Sequence, residues 1–156
     1  NLTEKYGWAL TPQRIGVIAS AYGRYIMEIG DVILRVKSLY DEIKKAELHF
    51  YKHHDINIVL EEDAVEHTME QMIQGVMTSA GFVDWLDREF EYGLKLIQEK
   101  TGRNRFFITK TALMNPGAYL DHLVRDFMQE LEIKTPHSAA DDNQNSKLPN
   151  PPIDPR

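Results

Sequence analysis

The sequence predicts a mainly α fold of the α+β class: a helical bundle of about five helices with a small two-stranded β element. Three observations lead there. Apolar residues recur every three or four positions through most of residues 1–133. Two short runs, "INIVL" and "RFFIT", break that rhythm with β-branched and aromatic residues. Two Trp, seven Tyr and six Phe within a 42% hydrophobic composition are enough for one core in a chain of 156 residues.

The first ten residues are mixed, and a helix is expected to begin at Thr11-Pro12, where Thr caps and Pro occupies the first turn. Ile15, Ile18, Ala19, Tyr22, Tyr25, Ile26 and Ile29 continue it to a break at Gly30-Asp31. With Asp31 as its cap, a further run carries Ile33, Val36, Tyr40, Ile43, Glu47 and Phe50, giving one long helix or a kinked pair. Its "DEIKKAE" stretch places Asp41/Lys45 and Lys44/Glu47 at pairing distance. Ile56–Leu60 reads as a strand. The acids Glu61, Glu62 and Asp63 then open a third helical element with a stripe through Ala64, Val65, Met69, Met72, Ile73 and Val76. "TSAG" interrupts it, and a fourth helix runs through Phe82, Trp85, Leu86, Phe90, Leu94 and Ile97 to Thr101-Gly102. Arg105–Thr109 is the second strand. Asn115 caps a last helix that has Pro116 at its first position. Residues 134–156 hold five of the seven prolines and read as a polar tail without a core of its own.

A net charge of -6 argues against a nucleic-acid surface, which needs clustered cations, and points to protein partners. "TGRNR", with Lys100 and Lys110 nearby, is a local basic spot that reads as a solvated turn. The absence of cysteine excludes disulfides and thiolate metal sites and fits a reducing compartment. No apolar run reaches the roughly 20 residues of a bilayer span, so no membrane is expected and a cytoplasmic location is. A first residue of Asn rather than Met suggests a piece of a longer protein.

His49 and His53 share a helix face at i and i+4, the spacing with which two imidazoles grip zinc, and His54, Asp55 and His67 are the further candidate ligands. The glutamate of a hydrolytic HExxH motif is missing, and the plainer reading places these histidines at a helix C-terminus, where positive charge suits the free carbonyls. Carboxylates pair at Glu61-Glu62-Asp63, Asp84/Asp87 and Glu89/Glu91, yet acids in a first helical turn are ordinary and no flanking pattern buries one of them. No phosphate-cradling GxxxxGK[ST] or GxGxxG is present. Met69, Met72, Met77 and Met114 are either an adaptable binding surface or core filler. The chain itself is expected to be non-catalytic.

A helix, the stretch "HHDINIVLEEDAVEH", a helix, a break and a further helix follow one another here. Ile56, Ile58 and Leu60 alternate, and Glu62-Asp63-Ala64 open the next helix. This order resembles the small C-terminal lid domain of AAA+ ATPases of the Clp unfoldase type, those similar to ClpX, over roughly Leu39 to Thr109. Family members carry a T-G-A-R motif at the break, its arginine reaching the nucleotide. "TSAGF", Thr78 to Phe82, stands there without the arginine, and Arg88 is the nearest basic residue. The resemblance therefore implies a lid with a degenerate sensor-2 region and Thr78, Gly81 and Arg88 as its nucleotide-proximal residues. It also implies an upstream ATPase domain that holds ATP and Mg, and neighbouring subunits of a ring as protein partners. Residues 1–35 and the last helix stand outside it. The other reading is a free-standing helical interaction module, an adaptor or chaperone, that binds partners through its methionine-rich helices.

Overall fold

A computed structural model describes residues 2–134; Asn1 and residues 135–156, which make up nearly all of the predicted tail, lie outside them. In order, the chain forms α1 (Leu2–Tyr6), α2 (Pro12–Arg24), α3 (Ile29–His54), β1 (Asn57–Leu60), α4 (Glu62–Ile73), α5 (Ser79–Thr101), β2 (Arg105–Ile108), α6 (Lys110–Met114) and α7 (Pro116–Lys134). The fold is mainly helical with one two-stranded sheet, as the apolar periodicity predicts. None of these helices is long and apolar enough to cross a membrane.

Two short helices, α1 and α6, join the expected set, each only five residues long and therefore too brief to show a periodic face. The break between α2 and α3 falls at residues 25–28 rather than at Gly30-Asp31. Glu28 is the N-cap position of α3, and Asp31 sits inside its first turn. Helix α3 is thus one element of 26 residues, burying Val32, Ile33, Val36, Leu39, Ile43, Ala46 and Phe50 along one face. Its Lys44–Glu47 pair forms at 3.0 Å, whereas Asp41 pairs with Lys37 and Lys45 with Glu42. Thr11 accepts from Arg14 N at 3.3 Å, and Asn115 Oδ1 accepts from Ala118 N at 3.1 Å, so both predicted caps are made.

Strands β1 and β2 pair in parallel, with Ile58 opposite Phe106 and Leu60 opposite Ile108. Parallel strands need a long crossover, and α4 and α5 provide it. Ile58, Leu60, Phe106 and Ile108 all point into the core, while Asn57, Arg105 and Phe107 face outward. Side chains occupy the sheet's outer edges. Glu47 of α3 takes the Leu60 N–H at 2.7 Å, the Arg103 guanidinium donates to the Arg105 carbonyl at 3.1 Å, and the Tyr119 hydroxyl donates to the Phe107 carbonyl at 2.9 Å. At the strands' N-terminal end, Gln98 Nε2 donates both to the Asp55 carbonyl at 2.9 Å and to Asn104 Oδ1 at 2.8 Å, tying the end of α3 to the end of α5.

The N-terminal segment belongs to the same core. The Arg14 guanidinium lies 5.0 Å from the Trp8 ring and 4.9 Å from the Tyr40 ring, with Nη1 donating to the Ala9 carbonyl at 2.8 Å and Nε 3.4 Å from Glu62. Two aromatic faces and a carboxylate hold one planar cation, which joins α2 to α3 and α4.

Helix α7 packs differently, with no fully buried residue. It lies on α5 where Gly93 leaves room for Leu120: a Cβ at Gly93 would fall 2.6 Å from Leu120 Cδ1 and 2.8 Å from Cδ2. In Gly93→Ala the terminal methyls of the half-buried Leu120 must move aside, which offsets the helix-propensity gain of about 1 kcal/mol, and a net loss of up to about 1 kcal/mol is expected. Gly16→Ala on α2, where nothing lies within 4 Å, is expected to be neutral or stabilising by up to about 1 kcal/mol. Urea denaturation of the two variants checks the contrast, and a midpoint for Gly93→Ala as high as that for Gly16→Ala would contradict the close approach. The Tyr119 phenol is pushed up from 10.0 to about 12, chiefly by burial, with the Arg103 charge lowering it and the Glu61 charge raising it. The folded state therefore holds this proton more tightly than the unfolded chain does. Its contribution to stability is complete below pH 10 and is lost as pH rises from 10 toward about 12. Thermal melts between these values are expected to show a steeper alkaline loss for the wild type than for Tyr119→Phe.

Candidate functional site

Helix α4 ends in a turn that requires glycine. Gly75 has φ 74°, and the N–H groups of Val76 and Met77 both return to the Gln71 carbonyl, at 3.0 and 3.3 Å. The turn carries Val76 outward and lays Met77 against the core before Thr78 caps α5 by accepting from Gly81 N at 3.0 Å. A pocket of about 460 Å³ opens beside it. Helix α4 supplies His67, Thr68 and Gln71 to its wall, the turn Val76 and Met77, α5 Phe82, Trp85 and Glu89, and the α6–α7 corner Leu113, Met114 and Pro116.

The aromatic wall is fixed by its own packing. Trp85 stacks on Phe82 at 6.3 Å and 14° and meets Phe90 edge-on at 5.7 Å. The Thr68 hydroxyl donates to the Ala64 carbonyl at 2.8 Å, which satisfies it within α4. Among the described residues, the side-chain nitrogens and oxygen of His67 and Gln71 make no hydrogen bond. Glu89 is held only by its chain neighbour, the Arg88 Nε at 3.1 Å. The pocket is a cleft of ligand-binding size with mixed walls, in which Thr68 is satisfied and His67, Gln71 and Glu89 are the other three polar side chains.

Thr78 and Gly81 flank this cleft, and both serve the local backbone. The Thr78 hydroxyl acts as a cap, and a Cβ at Gly81 would crowd that oxygen at 3.0 Å. Arg88 projects into solvent with 67% of its side chain exposed. The four methionines divide, with Met69 and Met72 buried in the core and Met77 and Met114 at the cleft.

The histidines gather elsewhere, at the end of α3, while His67 sits in the cleft on α4. His49 and His53 stack at 3.8 Å, and His53 Nδ1 donates to the His49 carbonyl at 2.9 Å. His54 is the one that crosses to α5, with Nε2 2.9 Å from Asp87 Oδ1 and Nδ1 3.3 Å from Glu91 Oε1; His49 Nε2 stands 3.9 Å from Asp87. The acids that meet are thus Asp87 and Glu91, one turn apart on α5, rather than Asp84/Asp87 or Glu89/Glu91. Sequence spacing alone could not find this pairing, because His54 and Asp87 meet only through the packing of α3 on α5. Among the described residues, no three His, Asp or Glu side chains come together in a way that holds a metal ion.

Comparison of the chain with protein-family models, with curated proteins and with solved structures gives no match.

Replacing both His49 and His53 by Gln is expected to change stability by less than about 1 kcal/mol, as for surface positions, whether or not zinc is added. His54→Ala, which removes a largely buried ring packed 4.6 Å from Phe50 together with its contacts to two partly exposed carboxylates, is expected to lose about 1–3 kcal/mol, chiefly through the lost packing. Chemical denaturation of the three proteins distinguishes these sites, and a zinc-dependent loss in the His49/His53 variant would restore the metal reading.

Proposed function

We propose that the chain is a non-catalytic lid or assembly domain of an AAA+ ATPase, whose parent protein remodels or unfolds other proteins. The observation that supports this reading is the order α3, β1, α4, α5, β2, with the two strands paired in parallel through a two-helix crossover. That order is the one on which the sequence resemblance rests. In this reading the α4–α5 corner at Thr78 and Gly81 faces the nucleotide held by the upstream ATPase domain, together with its Mg, and Arg88 is the nearest cation on α5. Because the Arg88 guanidinium lies against Glu89 and points to solvent, the corner contributes shape rather than charge. A hinged rigid body of this kind passes nucleotide state to its neighbours in a ring through its packing. The proposed location is cytoplasmic.

A second reading, a free-standing helical adaptor or chaperone, is favoured by apolar residues left on the surface. Ile26 is fully exposed, and Val124 and Met128 of α7, both exposed, line an open apolar cleft against Leu96 and Ile97 of α5. The two readings separate on the native polypeptide. An antibody raised to this 18.1 kDa chain is expected to detect a much larger protein in its source cells, and that protein, once purified, is expected to hydrolyse ATP. A native band at the mass of the chain alone, without ATPase activity, would remove the lid reading and leave the adaptor.

A further inference from the structure

The cleft between α4, α5 and α6 has a chemical preference that does not depend on the lid reading. Its lining contains one carboxylate, Glu89, and neither Lys nor Arg. A phosphate or carboxylate ligand would find no lining cation there, and the chain's net charge of -6 adds to the bias against anions. The same lining suits an organic cation. Trp85 offers an aromatic surface, Gln71 and His67 offer acceptors without partners in the protein, and Phe82 and Leu113 form an apolar floor on which an aliphatic stem can lie.

We propose that this cleft receives an arginine side chain presented by an extended, basic segment of a partner protein. A guanidinium is planar, stacks on indole and pairs with a carboxylate through two parallel hydrogen bonds, so one side chain satisfies Trp85 and Glu89 together. Arg88 already occupies Glu89, but as an exposed chain neighbour it makes the kind of surface pair that contributes little and is readily exchanged. The cleft is larger than a single side chain, and its mouth carries Val76 and Met114, 70% and 68% exposed, beside Met77. The exposed Met114 can adapt to varied neighbours and, with Val76, gives the residues flanking the arginine a surface to lie on.

The test uses the full 156-residue chain, labelled with nitrogen-15. Its two indole N–H resonances are assigned with Trp85→Phe. A capped Gly-Ala-Arg-Ala-Gly peptide, at concentrations up to about 1 mM, is expected to shift the Trp85 resonance saturably and leave that of the buried Trp8 in place. The peptide with citrulline in place of arginine, which keeps the shape and removes the charge, is expected to bind about tenfold more weakly. Glu89→Gln is expected to weaken the arginine peptide about tenfold, and Arg88→Gln, which removes the competitor, to tighten it. Unchanged melting temperatures for both variants establish that the fold is intact. The proposal is overturned by the absence of a saturable Trp85 shift, by equal binding of the citrulline peptide, by a Glu89→Gln protein that binds as well as the wild type, or by free arginine amide binding as tightly as the peptide, which would make the cleft a small-molecule site.

Discussion

Two strands of four residues paired in parallel do not stand alone in water, and the rest of the structure follows from having to complete them. Every outward backbone group left free at a sheet edge invites another chain unless something covers it. Here the cover comes from three directions: Glu47 from α3, Arg103 from the turn before β2, and Tyr119 from α7. The length of α3 has its reason in this arrangement. It must reach from the Trp8–Arg14–Tyr40 stack at the N-terminal end of the fold, past the edge of β1, to the acids of α5 that receive His54. Shortening it at its C-terminal end would remove the His54 attachment, and shortening it at its N-terminal end would take Val32, Ile33 and Val36 out of the core.

Where periodicity is strong, the sequence is a good guide. The apolar stripes of α3 and α5, the alternation of Ile58 with Leu60, and the caps Thr11 and Asn115 all have local physical causes, and each appears where those causes place it, whereas the cap expected at Asp31 falls inside the first turn of α3. What stays hidden depends on distant residues meeting. Parallel pairing leaves no mark in either strand, because the same four-residue runs would serve an antiparallel pair. Nor does a mixed N-terminal segment announce that Trp8 will be buried against Arg14.

The candidate site is legible only in part. Thr78, Gly81 and Met77 mark its edge through the "TSAG" break, and Met114 is visible as one of several methionines. The cleft itself is assembled from three helices separated by many residues, and periodicity alone makes Trp85 and Phe82 simply residues of a helix face. The histidines show the converse. Their clustering in the sequence singles out His49 and His53, whereas the hydrogen-bonded tertiary contact belongs to His54, with His49 only 3.9 Å from the same Asp87; His54 turns inward on the last helical residue before the left-handed Asp55.

The way α7 is attached sets it apart energetically. It touches the body through the Gly93–Leu120 approach, the Tyr119 hydroxyl, the Tyr119 ring edge-on to Phe90 at 6.0 Å, and Leu123 packed on the core, yet it buries no residue fully, so detaching it exposes less apolar surface than unfolding the body does. Local opening of its second half, from Val124 onward, therefore costs less than opening α3 or β1. The helix is docked on the body rather than built into it, and its release would uncover the Phe107 carbonyl at the outer edge of β2.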